Sequence, residues 1–256
     1  MAVGSGKGGV GKSTVATNLA LSFARAGAAV GLMDADIYGP NLVQMIGVKT
    51  RPEIVGKRIL PVPASGLKLM SMAFFLKDDQ PVVWRGPMLH GAMKQFLGDV
   101  EWGKLDYLFI DMPPGTGDVQ LTLSQIIPLT GAVLVTTPQD VALSDVRKAA
   151  AMFRTVNVPI LGVVENMSYF NCPHCGERAE IFSHGGAESA AKRLGVPFLG
   201  AVPLEEGIRE DADTGVPVVI SRPDSAGAKA FEHIASQVAA RTSIQSFRQL
   251  PVINVH

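Results

Sequence analysis

The stretch that most constrains this chain lies almost at its start: Gly6-Lys7-Gly8-Gly9-Val10-Gly11-Lys12-Ser13-Thr14. A Gly, four residues and then Gly-Lys-Ser/Thr is the pattern of a loop that wraps the phosphates of a nucleoside triphosphate. Such a loop turns a strand sharply into a helix, so that successive main-chain N–H groups converge on one anion. Glycines permit both the turn and the close approach. Lys12 then reaches the β- and γ-phosphates, Ser13 offers a hydroxyl to Mg²⁺, and the helix N-terminus adds its positive dipole end. The flanks agree: Ala2-Val3 reads as the end of a first strand, Val15, Leu19, Ala20 and Phe23 recur at helical spacing, and Gly27 stands where a helix C-cap is expected. Gly6 to Thr14 are the expected nucleotide-binding residues.

Apolar runs that end in polar residues recur along the chain. Ala29–Met33 ends in Asp34-Ala35-Asp36, and Tyr107-Leu108-Phe109-Ile110 ends in Asp111, as expected of a buried central strand carrying the acid that supports Mg²⁺. Ala132–Thr136, Ile160–Asn166 and Phe198–Val202, followed by Pro203, read as further strands. Helices are expected over Gly86–Gly98, from about Leu143 to Thr155, and over Ser225–Arg241. Strands alternating with helices imply a single α/β domain, a mostly parallel sheet with helices on both faces. The expected domain spans 1–241, with a cysteine-bearing loop inserted near 170–182 and a weakly patterned tail over 242–256. Between 48 and 77, Ile59–Val62 and Leu67–Ala73 read as a β-hairpin or two-stranded excursion, followed by a short extended piece, Pro81–Arg85.

Composition narrows the class. Hydrophobic residues make up 47% of 256 and charged residues 18%, enough for a large core and too apolar for disorder. Formal net charge is zero, without the basic excess of a general nucleic-acid binder. No apolar run approaches the roughly 18 residues of a membrane span, and no signal peptide is evident. Neither nucleic acid nor a membrane is expected as a partner. The first strand stands at the very start of the chain, as in a domain excised from a longer protein. Only Cys172 and Cys175 occur, which suits a reducing, cytoplasmic location.

Those cysteines form Cys172-Pro173-His174-Cys175-Gly176. Two thiols three apart can face one metal, yet a tetrahedral zinc or a four-iron cluster normally takes four protein ligands. His174 and His184 are near enough in sequence to complete a site within one chain, although His174 inside the turn is sterically awkward. A homodimer supplying two thiolates per subunit is the alternative. A thioredoxin-type redox pair, a zinc knuckle and an inert turn also remain open.

Gly-Lys-Gly-Gly-Val-Gly-Lys-Ser-Thr, Asp-Ala-Asp-Ile-Tyr-Gly-Pro-Asn (34–41), Asp-Met-Pro-Pro-Gly-Thr-Gly-Asp (111–118) and Asn-Met-Ser-Tyr-Phe-Asn-Cys-Pro-His-Cys-Gly (166–176) occur in that order. From residue 2 to about 240, the chain resembles the Mrp/ApbC family of iron–sulfur cluster carrier ATPases, within the MinD/ParA/nitrogenase-iron-protein class. The resemblance implies a homodimer that binds ATP in each subunit, holds a labile [4Fe–4S] cluster between subunits on Cys172 and Cys175, and passes it to apo-proteins. It implies that Lys7 reaches the partner subunit's nucleotide and that Asp36 orients the attacking water. The turn after Asp111 would sense the γ-phosphate, Asn166 would contact the adenine, and the loop at Pro203 would flank the base. Many members carry a small N-terminal domain ahead of the first strand. The rival readings are a MinD/ParA-like spatial-organisation ATPase and an ATPase with a structural zinc knuckle.

Overall fold

The computed structural model describes residues 1–75, 86–172, 174–182 and 185–248. In chain order the elements are β1 (Ala2–Ser5), α1 (Lys12–Arg25), β2 (Val30–Asp34), α2 (Leu42–Met45), β3 (Ile54–Val55), β4 (Arg58–Ile59), β5 (Val62–Ala64), β6 (Leu67–Ser71), α3 (Gly86–Gly98), β7 (Tyr107–Asp111), α4 (Asp118–Ile126), β8 (Ala132–Thr136) and α5 (Asp140–Thr155). The second half continues with β9 (Ile160–Glu165), β10 (Phe170–Asn171), β11 (Arg178–Ala179), α6 (Gly186–Leu194), β12 (Phe198–Ala201), α7 (Glu206–Thr214), α8 (Val218–Ser221) and α9 (Ala226–Arg248).

Eight strands form one sheet in the order β12-β9-β8-β1-β7-β2-β6-β5. Its neighbours run parallel except β5, which pairs antiparallel with β6. Because side chains alternate along each strand, the sheet builds two cores. Val3, Leu32, Phe109 and Val133 pack with α1 and α9 on one face. Ala2, Met33, Ile110 and Leu134 pack with residues of α3, α4, α5 and α6 on the other. Phe23 of α1 meets Tyr107 and Phe109 edge-on, with ring centroids 4.6 and 5.1 Å away. The strand order reverses at β1, which lies between β7 and β8. An α/β sheet opens a crevice at the carboxyl ends of its strands at that switch point.

The 48–77 region differs from its expected layout. Ile59–Val62 is not one strand: Arg58–Ile59 closes a hairpin with Ile54–Val55, whereas Val62–Ala64 pairs with Leu67–Ser71 in the main sheet. Pro61, which has no N–H to donate, falls between the two pairings. Helix α5 begins three residues earlier than the periodicity suggests. Helix α9 continues through the weakly patterned residues to Arg248, seven beyond the expected end at Arg241, because no Gly or Pro interrupts it there. The expected extended piece Pro81–Arg85 and the tail from 249 onward lie outside the described residues. Among the described residues no helix is long and apolar enough to cross a membrane.

Candidate functional site

The glycine-rich loop leaves the carboxyl end of β1 and enters α1 through Gly11, at φ +79°, with Gly9 at φ +78°. Both angles fall in the left-handed region open chiefly to glycine. Buried Val10 pins the loop to the core beneath it. The first turn of α1 presents Lys12, Ser13 and Thr14 to a cavity of about 220 Å³, which Lys7, Gly8, Gly9, Asp36 and Pro114 also line.

Strand order, not sequence proximity, brings the acids here. Lys12 Nζ lies 2.7 Å from Asp111 Oδ1 and 3.7 Å from Asp36 Oδ2. The Ser13 hydroxyl donates to Asp111 Oδ2 at 2.6 Å. Burial pushes the Asp111 carboxyl above its ordinary range, and the adjacent Lys12 opposes that shift. A hydroxyl and a carboxylate on one edge of a phosphate-sized cavity are the hard oxygen donors that Mg²⁺ prefers, so the residues present fit that ion.

Asp34 was only half of an acidic pair in the sequence, and the structure gives it its own place. Its Oδ1 accepts from the Asp36 N–H at 3.1 Å, and its Oδ2 accepts from the Leu42 N–H at 3.3 Å and the Ser71 hydroxyl at 2.9 Å. One carboxyl group thus holds both ends of the loop that carries Asp36. Burial, then the nearby Asp111, pushes its pKa up to about 8. The turn after Asp111 is tied to β1 as well: Met112 N–H donates to Val3 O at 3.0 Å and Gly115 N–H to Ser5 O at 3.1 Å.

A second cavity, of about 350 Å³, continues from the first. Thr14, Asn41 and Met45 line both. Asn166 and Pro203 line the second, as do Gln44 of α2 and Ile208 and Arg209 of α7. The Asn166 amide donates to Val10 O at 2.9 Å, tying the end of β9 to the phosphate loop. Sequence reasoning missed the α2 and α7 residues. Four residues of helix carry no usable periodicity, and the α7 wall is assembled by folding alone.

Cys172 and Cys175 are free thiols, the first half-buried and the second exposed, at the end of the hairpin of β10 and β11. Cys172 N–H donates to Glu177 O at 2.9 Å and Gly176 N–H to Cys172 O at 2.8 Å, closing a tight knuckle. The main-chain N–H groups of Cys175 and His174 face the Cys172 sulfur and hold its thiol below the usual range. Such a turn stabilises a thiolate ligand. Pro173 and His184 lie outside the described residues, and among the described residues no three His, Cys, Asp or Glu side chains cluster as a metal site. A cavity of about 430 Å³ beneath Cys172 is lined by Phe170, Pro203, Leu204 and Glu205. Pro203, Leu204 and Glu205 also line the 350 Å³ cavity, so one loop separates the cysteine hairpin from the nucleotide cleft.

The chain as a whole is similar to known proteins. A ParA family model, described as NUBPL iron-transfer P-loop NTPase, matches residues 1–239. The iron-sulfur cluster carrier protein of Synechocystis is 55% identical over 250 residues, covering 95% of this chain and 71% of its own. The mouse iron-sulfur cluster transfer protein NUBPL is 52% identical over 242 residues, covering 93% and 76%. Among solved structures, a nucleotide-binding protein of Archaeoglobus fulgidus in complex with ADP superposes with a TM-score of 0.76 at 41% identity, over 84% of this chain and 85% of that one. The Pyrococcus furiosus cell division ATPase MinD superposes with a TM-score of 0.70 at 25% identity, over 93% and 97%. With the phosphate loop, the acids on neighbouring strand ends and the cysteine knuckle all in place, this chain belongs to the ParA-type family of NUBPL iron-transfer P-loop NTPases.

Proposed function

We propose that the chain is an ATP-hydrolysing iron–sulfur cluster carrier that holds a [4Fe–4S] cargo between two subunits and delivers it to apo-proteins. The observation that carries this reading is the loop Pro203–Leu204–Glu205, one wall of both the nucleotide cleft and the cavity beneath Cys172. The relatives' names supply the cargo. Cys172 and Cys175 of each subunit provide four thiolates in all, the ligand count a four-iron cluster takes. Free thiols in that role fit a reducing, cytoplasmic setting.

ATP would lie with its phosphates over Gly6 to Thr14 and its base in the second cavity, beside Asn166 and Pro203. Ser13 and Asp111 would hold Mg²⁺, which supplies charge neutralisation on the phosphates. Asp36 orients the attacking water, while Lys12 and the partner's Lys7 offset charge on the transferred phosphoryl group. Hydrolysis is slow until a second subunit closes over the cleft and adds its lysine to the charge already there. The γ-phosphate acts through the turn after Asp111 and through Asn166, whose strand leads to the hairpin, to change how the cluster is held. The unit that does this is the domain over 1–241, with its cysteine loop at 170–182.

Anaerobic reconstitution with iron and sulfide tests the reading. Wild type should become a brown dimer with about two irons per subunit, and Cys172→Ala should stay colourless and monomeric. A wild type that takes up no iron but holds zinc tightly sinks the carrier reading and leaves an ATPase with a structural knuckle.

A further inference from the structure

Whole-chain neutrality conceals a strongly basic stretch. Residues 49–58, Lys-Thr-Arg-Pro-Glu-Ile-Val-Gly-Lys-Arg, carry Lys49, Arg51, Lys57 and Arg58 against a single acid, Glu53. All five are exposed. Among the described residues Lys49, Arg51 and Lys57 make no ion pair; Arg58 pairs with Glu101 at 3.7 Å and donates to Gly98 O at 2.7 Å.

Within this stretch stands the hairpin of β3 and β4, turning at Gly56 with φ +62°. Its base is anchored. Ile59 N–H donates to Asp99 O at 2.9 Å, Glu101 N–H to Ile59 O at 2.8 Å, and Leu60 N–H to Glu53 O at 2.8 Å. Its tip is not covered: Ile54 and Val55 are 69% and 59% exposed, neighbours in sequence on a fixed protrusion. Side chains alternate along a strand, so Ile54 and Val55 stand on opposite sides of the hairpin, both held out into water within a stretch that carries four cations, a surface suited to association.

We propose that this hairpin is a docking site for an anionic lipid bilayer, with Ile54 and Val55 entering the interfacial region while Lys49, Arg51 and Lys57 meet the headgroups. The charge and the apolar tip together select this occupant. A nucleic-acid backbone would take the cations and leave Ile54 and Val55 in water. An acidic protein would have to offer a hollow shaped for the tip, whereas a bilayer offers a soft apolar layer just beneath its charge. The proposal departs from the expectation of no membrane partner, which rested on the lack of an apolar run long enough to span one. That consideration does not address a local patch that lies on a surface. It is independent of the cluster-carrier reading.

Co-sedimentation of the full chain with vesicles tests it. The probe is phosphatidylcholine containing phosphatidylglycerol, set against phosphatidylcholine alone. Wild type should sediment with the anionic vesicles and be released by salt. The pair Arg51→Glu and Lys57→Glu should weaken binding at least about tenfold, because each reversal turns attraction to a headgroup into repulsion. The pair Ile54→Ser and Val55→Ser should weaken it as well, because charge alone does not explain the tip. Both variants should keep the wild-type rate of ATP hydrolysis, showing that they are folded. Absence of binding to anionic vesicles overturns the proposal, as does undiminished binding by the Ile54/Val55 variant. Retention on DNA without retention on vesicles overturns it too, and assigns the cations to nucleic acid.

Discussion

The side-chain amide of Asn166 donates to the main-chain oxygen of Val10 at 2.9 Å, across 156 positions of sequence. It fastens the end of β9 to the middle of the phosphate loop. A Cβ placed on Gly11 would stand 2.1 Å from the same amide nitrogen. The hydrogen bond and this close approach link the loop to the start of the segment that runs from Asn166 to Cys172.

Gly11→Ala tests that contact. Its backbone sits at φ +79°, where a side chain costs about 1–2 kcal/mol before any clash. The variant should lose nucleotide affinity at least about tenfold, by titration with a fluorescent ATP analogue, and unfold at a lower temperature. Adding Asn166→Ala removes the clash but not the strained angle, so it should restore part of the stability and little of the affinity.

Lys12 stands between two carboxylates, 2.7 Å from Asp111 and 3.7 Å from Asp36. Lys12→Ala should lower the rate of phosphate release at saturating ATP by about 10²–10³-fold, the usual effect of deleting a preorganised charge at a reacting centre. Asp36→Asn should lower kcat by about 10²-fold and leave KM nearly unchanged, the signature of an interaction made only in the transition state. A raised KM with unchanged kcat would reassign Asp36 to nucleotide binding.

Asp34 should leave a mark on the pH dependence of stability. Its native pKa is pushed up to about 8 from an ordinary 3.8, so the folded protein keeps a proton that the unfolded chain has already released. Through this group, stability is fully present below the unfolded value, declines as pH rises through the window between the two, and levels off above the native value. Asp34→Asn should flatten that decline in denaturant midpoints measured from mildly acidic to alkaline pH. It should also be less stable than wild type in acid, because an amide has one acceptor oxygen for three donors. An unchanged slope would place the titration elsewhere.

Leu204 belongs to the wall shared by the nucleotide cleft and the cavity under Cys172. Leu204→Ala should leave iron loading intact and reduce the effect of ATP on the rate of cluster transfer to an apo-protein by several-fold, read by recovery of acceptor activity. Equal loss of transfer with and without ATP would mean that the residue serves only the hairpin's stability.

Much of this protein is local and therefore legible along the chain. The Gly9 and Gly11 angles are a backbone requirement met by one residue type, so the phosphate loop announces itself. The apolar runs ending at Asp34, Asp111 and Asn166 announce buried strands because a strand covered on both faces excludes polar residues until its end. Ile59–Val62 shows the limit of that reading: a run of suitable composition was divided between two hairpins by Pro61.

The sequence by itself determined the strands β1, β2, β7, β8, β9 and β12, the helices α1, α3, α5 and α9 to within a few residues, the loop that wraps phosphates, and the two thiols on one turn. Each depends on neighbours within a few residues. Only the tertiary structure decided that β1 lies between β7 and β8, which carries Asp111 to Lys12 across 99 positions, that Asp34 fastens both ends of the Asp36 loop while the Ser71 hydroxyl of β6 donates to it, and that Pro203 to Glu205 is one wall of two cavities. Periodicity specifies which face of an element is buried but not which element covers it. Strand order and register come from the packing of the whole sheet, and the site exists only once they are set.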